Sequence, residues 1–285
     1  KLVDDVMVAA LADPVESSLR DSLKEIGRDT LTYPDAGTMM REARLDAVII
    51  SSPNFTHRAV LEPIFESGCH ILCEKPLCTT LEDARWVVER AAESRSIFWT
   101  AMEYRFMPPV AAFIEDIHAG TVGRLVMLSI REHRFPFLVK VGDWNRFNRN
   151  TGGTMVEKCC HFFDLMRAIV SSEPVSVFCS GAMDVNHRDE RYDGKRPDII
   201  DNSFTVIEFA NGVRAMRDLS VFAEGSEDQE ALPAVGDAAK LEAFIPSGDL
   251  VHSPRTGYGQ PKRVTRRHVD VDEACAVGAE GVVDV

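Results

Sequence analysis

Residues 46–57, Asp46-Ala47-Val48-Ile49-Ile50-Ser51-Ser52-Pro53-Asn54-Phe55-Thr56-His57, and residues 69–77, Cys69-His70-Ile71-Leu72-Cys73-Glu74-Lys75-Pro76-Leu77, decide the fold. Each is a short apolar run cut by a proline-bearing turn, the pattern of a buried strand and its exit. A helix is predicted between them, over Thr56 to Ser67, and another from Thr80, ahead of a strand at Ile97 to Ala101. Upstream, Val6 to Leu11 reads as a strand leaving at Ala12-Asp13-Pro14, with a helix over Val15 to Ile26. This strand–helix alternation predicts a doubly wound parallel sheet, its strands apolar enough to be covered on both faces.

After Met102 the texture changes. Longer strands are expected over Leu125–Arg131, Val175–Ser180, Ser203–Phe209 and Val213–Ser220, with Asn211-Gly212 marking a tight hairpin turn. A helix from Glu157 to Ser171 interrupts them, and the polar stretch Asp184 to Asp198 reads as a long loop. The expected organisation is therefore an α/β domain over residues 1–102 and an α+β domain with a mixed, largely antiparallel sheet over residues 103–285.

A net charge of -13 repels nucleic-acid backbones and anionic membranes, and the basic run Lys262 to His268 reads as a solvated face or loop. No apolar run approaches the roughly 18–20 residues of a membrane-spanning helix. The seven cysteines, scattered in apolar contexts, together with an opening Lys1-Leu2-Val3-Asp4-Asp5 that lacks the features of an export signal, predict reduced thiols and a cytoplasmic protein.

A doubly wound sheet binds ligands beyond the carboxyl ends of its strands. Asp13, at the end of the first strand, suits either a ribose contact or a simple helix cap, and its charge favours NAD over NADP by repelling a 2'-phosphate. In Pro53-Asn54-Phe55-Thr56-His57 the proline fixes the turn, while Asn54 or Thr56 suits a cap and His57 suits packing as well as a ligand. Lys75 is less easily explained by structure, because a charge at the end of a buried strand needs a partner or a task. Downstream, Glu157, His161 and Asp164 fall at helical spacing. His161 suits an acid/base role or a structural one. Cys159-Cys160-His161 invites a metal, but consecutive helical residues point to different faces, so no metal is expected.

Taken together, the run from Asp46 to His57, Gly68 to Leu77 with its Glu74-Lys75-Pro76, Tyr104-Arg105-Phe106-Met107-Pro108, Gly120-Thr121-Val122-Gly123, Gly152-Gly153-Thr154 and Glu157 to Asp164 resemble the Gfo/Idh/MocA oxidoreductases over roughly residues 5–245. The resemblance implies a Rossmann-type nicotinamide-binding domain, contacted through Asp13, Ser52, Pro53, Asn54, His57, Glu74 and Lys75, and hydride transfer to or from a secondary alcohol of a sugar, cyclitol or related polyol. It implies that Lys75 sits between nicotinamide and substrate, that His161 takes the hydroxyl proton, and that Glu157, where the family usually has aspartate, orients the imidazole or binds a hydroxyl one helical turn away. Arg105, Trp144 and Arg146 are expected to bind substrate, with a surface loop as the other reading of 144–149. A homodimer or homotetramer is expected by resemblance.

No Gly-x-Gly-x-x-Gly occurs in the sequence. Such a loop and the helix after it cradle the cofactor pyrophosphate. The sequence is accordingly read as truncated at its start, with an incomplete parallel sheet, and at its end, and it is expected to bind cofactor poorly. The alternatives are a non-catalytic relative that senses a nucleotide or binds a protein, and a broken product without function.

Overall fold

The computed structural model describes residues 6–26 and 29–270. Contacts divide them into two units, one ending at Ala101 and the other beginning at Met102.

The first unit runs β1 (Ala10–Ala12), α1 (Glu16–Ile26), β2 (Leu31–Tyr33), α2 (Ala36–Glu42), β3 (Ala47–Ile50), α3 (His57–Phe65), β4 (His70–Cys73), α4 (Leu81–Glu93) and β5 (Phe98–Thr100). All its ladders are parallel. Among the described residues they form two sheets, β1-β2 and β3-β4-β5. Val48, Ile50, Ile71 and Cys73 point to one face and meet Leu61 and Ile64 of α3 and Val87 of α4. On the other face Ile49, Leu72 and Trp99 stay exposed. Covering on both faces, expected from the apolar strands, is thus found on one face among the described residues, because α2, α3 and α4 all join the same apolar cluster. The strand expected from Val6 shrinks to the three residues that pair with β2, leaving Val6, Met7 and Val8 exposed.

The second unit carries α5 (Pro108–His118), β6 (Leu125–His133), α6 (Asn148–Thr151), α7 (Thr154–Glu157), α8 (Cys160–Val170), β7 (Pro174–Ala182), β8 (Asn202–Phe209), β9 (Arg214–Ser220), β10 (Glu230–Gly236), β11 (Ala239–Ile245), β12 (Asp249–Pro254) and β13 (Thr265–His268). The strands form one sheet in the order β13-β12-β11-β10-β6-β9-β8-β7, antiparallel except for the central β6-β9 pair. Period-two alternation decides which face each residue takes: Ser203, Thr205, Ile207 and Phe209 of β8 are buried, while Phe204 and Val206 are not. Val110, Phe113 and Ile117 of α5, together with Phe162, Leu165 and Ile169 of α8, recur at three- and four-residue spacing and cover the inner face. Each fully buried side chain of this size contributes about 1.5–3 kcal/mol.

The Asn211-Gly212 turn joins β8 to β9, with the Gly212 amide donating to the Phe209 carbonyl at 2.8 Å and Gly212 in the left-handed region that glycine tolerates. The basic run near the end is an edge strand, β13. Arg267 pairs with Asp116 at 2.7 Å and Arg266 with Asp249 at 3.2 Å, as befits a charged sheet edge.

The helix expected from Glu157 to Ser171 is interrupted. α7 ends at Glu157, and α8 starts at Cys160 after a step in which the Lys158 and Cys159 amides both reach the Thr154 carbonyl, at 2.9 and 3.3 Å. The interruption lets Lys158 turn to buried Glu132 while Cys159 joins a separate apolar cluster with Leu219 and Val221. Glu157 and His161 therefore belong to different helices rather than to one continuous turn.

Candidate active site

In the first unit the candidate residues gather at the carboxyl ends of β3 and β4, which are in register from Ala47–His70 to Ile50–Cys73. The Glu74 amide donates to the Ile50 carbonyl at 2.9 Å, tying the two strand ends, and the Lys75 amide donates to its neighbour Glu74 Oε2 at 3.2 Å. The Thr56 hydroxyl lies 2.8 Å from Ser52 Oγ and 2.7 Å from the Pro53 carbonyl, which folds the 52–56 turn back on itself. Asn54 is buried in that turn. Asp13 Oδ1 accepts the Val15 amide at 2.6 Å at the start of α1, the capping role that sequence left open beside a ribose contact. Hydroxyl, carboxamide, carboxylate and ammonium groups at the ends of adjacent parallel strands match the hydroxyl and carboxamide edges of a nicotinamide nucleotide, so the residues present fit that group.

His57 takes a different place from the one expected. Its ring is fully buried, with Nε2 2.9 Å from the Ser52 carbonyl and Nδ1 3.1 Å from the Leu77 carbonyl. It ties the loop after β3 to the loop after β4 and offers no surface to a cofactor. The Cys73 Sγ lies 3.6 Å from Nδ1; burial above all pushes that thiol up to about 12, so it stays protonated.

In the second unit His161, in the first turn of α8, is 2 % exposed. The Tyr104 ring lies against it, centroids 4.5 Å apart at 32°, and the Glu103 carboxylate is 3.4 Å from Nε2. Both partners come from the short 3-10 turn Glu103–Phe106 ahead of α5. Gly152 and Gly153, both at positive φ, end α6 and lead into α7; a Cβ at Gly153 would stand 3.1 Å from Asn148 Oδ1. They set the approach to the His161 segment in a conformation L side chains rarely adopt.

Beneath this ring lies a buried charge cluster that sequence did not reveal. Glu132 of β6 and Arg217 of β9 are both fully buried and joined at 2.5 Å, with Lys158 and Arg134 each 3.5 Å from Glu132. The Arg217 guanidinium also sits 4.0 Å over the Phe162 ring and donates to the Asp218 and Ile130 carbonyls. Burial opposes ionisation of Glu132, but Lys158, Arg217 and Arg134 outweigh it and hold this carboxyl below its ordinary range. Glu230 of β10, directly opposite Glu132 in the ladder, gains less from these cations: burial and the Glu132 charge push it up to about 7. The Tyr104 hydroxyl donates to Glu230 Oε1 at 3.3 Å, and burial with these neighbouring charges keeps the phenol well above its usual range.

The expected substrate residues are mostly engaged within the protein. Arg105 presents its fork, through Nε and one terminal nitrogen, to both oxygens of Asp164 on α8. Arg146, 2 % exposed, bonds Glu190 at 3.2 Å and the carbonyls of Leu138 and Phe137 at 3.4 Å. Its guanidinium is consumed in fixing the 137–146 loop, which corrects the expectation that it contacts substrate. Trp144, half-buried, has the Lys140 ammonium 5.2 Å from its ring centre. Glu157 is buried at the end of α7. A signal for the missed cluster was present: Glu132 follows Leu128 and Ile130, and Arg217 lies between Ala215 and Leu219, so opposite charges occupy inward-facing positions of two strands.

Comparison with known proteins agrees with this architecture. The profile for the Gfo/Idh/MocA oxidoreductase family, NAD-binding Rossmann fold, matches residues 2–102, and that for the family's C-terminal alpha/beta domain matches residues 114–268. The myo-inositol 2-dehydrogenase of Thermotoga maritima is 29% identical over 231 residues, which cover 80% of this chain and 65% of that protein. The rhizopine catabolism protein MocA of Rhizobium meliloti is 32% identical over 177 residues, 60% of this chain and 51% of its own length. The chain thus spans about half to two thirds of these relatives. Among solved structures, levoglucosan dehydrogenase in complex with NADH matches with a TM-score of 0.81 at 18% identity, over 92% of this chain and 71% of the other. An oxidoreductase domain protein from Kribbella flavida matches with a TM-score of 0.80 at the same identity and coverage, and both likenesses show the fold. With more than half of its residues matched by the C-terminal profile alone, the chain belongs to the Gfo/Idh/MocA oxidoreductase family.

Proposed function

We propose that the protein carrying this sequence is an NAD-dependent dehydrogenase acting on a secondary alcohol of a sugar, cyclitol or related polyol. The observation that carries the reading is His161, buried between the Tyr104 ring and the Glu103 carboxylate in a unit whose family relatives include inositol dehydrogenases. The first unit is the cofactor domain, with Asp13, Ser52, Pro53, Asn54, Glu74 and Lys75 toward the nucleotide, and the second is the domain for substrate and self-association. NAD, when bound, supplies the hydride acceptor. The His161 imidazole takes the hydroxyl proton, and Glu103 beside Nε2 favours the imidazolium that results. Lys75 is assigned a catalytic role at the carboxyl end of β4, and Glu157 orients the imidazole or a substrate hydroxyl. Arg105, steered by Asp164, and Trp144 border the substrate. Residues 1–285 contain no glycine-rich phosphate loop, so by themselves they are expected to hold the dinucleotide weakly.

Self-association through the outer sheet face belongs to the same reading. Phe178, Val206 and Met216 are exposed and paired in turn across β7, β8 and β9, and Met127, also exposed, lies on β6 two residues from Ser129, the partner of Met216; together they form an apolar surface of the kind that marks an interface between copies. A cytoplasmic location rests on the free thiols of Cys69, Cys73, Cys78 and Cys159, all buried. Among the described residues no helix is long and apolar enough to cross a membrane. The test is NAD reduction across a panel of polyols, with K75A and H161A expected to lose about 10²–10⁴-fold in kcat; full activity in both variants would refute the assignment.

A further inference from the structure

The Glu132–Glu230 pair lies outside the catalytic roles assigned above, yet it reaches the catalytic ring. Glu230 is 4 % exposed, and an aromatic partner, Tyr104, spans the gap: hydroxyl 3.3 Å from Glu230 Oε1, ring face against His161. We propose that Glu230 is a positioning residue for His161, acting through Tyr104: the carboxylate fixes the phenol, and the phenol ring fixes the imidazole and favours its protonated form. This rests on the reading of His161 as the acid/base group.

The physics is a relay of charge density. A phenol that donates to an ionised carboxylate carries more negative charge on its ring, and the face of an aromatic ring attracts a cation stacked on it. When Glu230 carries a proton, that enrichment falls, and the imidazolium loses part of its support. The groups facing Glu230 are Tyr104, Glu132 of β6, Arg134 just beyond β6 and Lys158 between α7 and α8, with Arg217 of β9 behind Glu132. Those facing His161 include Tyr104 and Glu103. Since Glu132 keeps its charge through three cations, Glu230 is the member of the pair that changes state near neutral pH. The protonation of Glu230 and that of the imidazole are thus linked through Tyr104.

The experiment follows the His161 ring resonances by NMR across pH, in the chain itself, with the assignment taken from their loss in H161N. E230Q keeps an acceptor for the phenol and removes the charge, and Y104F keeps the ring and removes the link. Each is expected to lower the His161 midpoint by about half a pH unit, the scale of a cation–π contact, and the double variant should add little to the larger single effect. A midpoint unmoved in E230Q, a shift in E230Q with none in Y104F, or strictly additive shifts would overturn the proposal. If E230Q loses its fold by circular dichroism, Y104F decides alone, and an unmoved midpoint there overturns it. Because the readout needs no turnover, failure of the dehydrogenase reading appears as missing activity with the coupling intact, and failure of this inference as missing coupling in an active enzyme.

Discussion

Arg217→Met tests whether the buried charges of the sheet stabilise the second unit. The substitution removes a guanidinium with no exposed surface, which has a 2.5 Å bond to Glu132, bonds to the Asp218 and Ile130 carbonyls, and a stacking contact over Phe162. Breaking a buried ion pair by removing one partner costs about 3–5 kcal/mol. Lys158 and Arg134, each 3.5 Å from Glu132, remain to share the orphaned charge, which places the expected loss near the lower end, about 3 kcal/mol. For a unit of this size that lowers Tm by roughly 6–12 °C. Since the two units need not unfold together, the assay is native-state hydrogen exchange at β6 and β9 amides beside thermal unfolding. Glu132→Gln in the same chain removes the carboxylate but leaves Lys158 and Arg134 beside each other, so the coupling is read from the double-mutant cycle, and the two losses should not add. A cost under about 1 kcal/mol for Arg217→Met, or strictly additive losses in the double variant, would refute the view that each charge of the pair is held in place by the other.

Glu230 gives a pH dependence of opposite sign to an ordinary ion-paired carboxylate. Its folded pKa of about 7 lies above the roughly 4.3 of an unfolded glutamate, so its contribution is complete below the latter value and declines as pH rises toward 7. Urea unfolding should show E230Q gaining on the wild type with pH, reaching about 4 kcal/mol near pH 8, and a flat difference would count against the assignment. His57→Ala leaves the Ser52 and Leu77 carbonyls without their tie and opens a cavity, an expected loss of about 2–4 kcal/mol that amide exchange around β3 and β4 would locate. Met216→Asp on the outer sheet face should shift the protein toward monomer in light scattering if that face joins copies, and an unchanged mass would remove it from the interface.

What was legible in the sequence followed element length and periodicity. β3 and β4 were readable because Ala47–Ile50 and His70–Cys73 are apolar runs closed by Ser51-Ser52-Pro53 and Glu74-Lys75-Pro76, and α8 because Phe162, Leu165 and Ile169 recur at helical spacing. β2 and α2 were missed because β2 has three residues, two of them exposed, and α2 buries Met39 alone, although Asp35 accepting the Thr38 amide marked the helix start. Strands β10 to β13 lack a turn as plain as Asn-Gly, and Pro233 within β10 argues against a strand until its neighbours are seen. For the site, residue type pointed to Lys75 and His161, but partners distant in sequence did not declare themselves: Arg105 looks free until Asp164, fifty-nine residues on, is found in its fork.

The interrupted helix and the buried charges are one feature. A continuous helix through residues 154–170 would satisfy each amide locally, yet the chain breaks at Lys158, where a lysine can reach the carboxylate that Arg217 and Arg134 already flank. That break makes His161 a first-turn residue of α8, where the helix dipole disfavours a positive imidazole. Glu103 at 3.4 Å and the electron-rich Tyr104 ring work in the other direction. Under the proposed role, His161 is an acid/base group set between these opposed influences. Lys158, three residues ahead of the ring, thus links the buried carboxylate to the segment that carries His161: in Glu132→Gln a changed His161 ring shift by NMR is the expected outcome, and an unchanged one would count against the link.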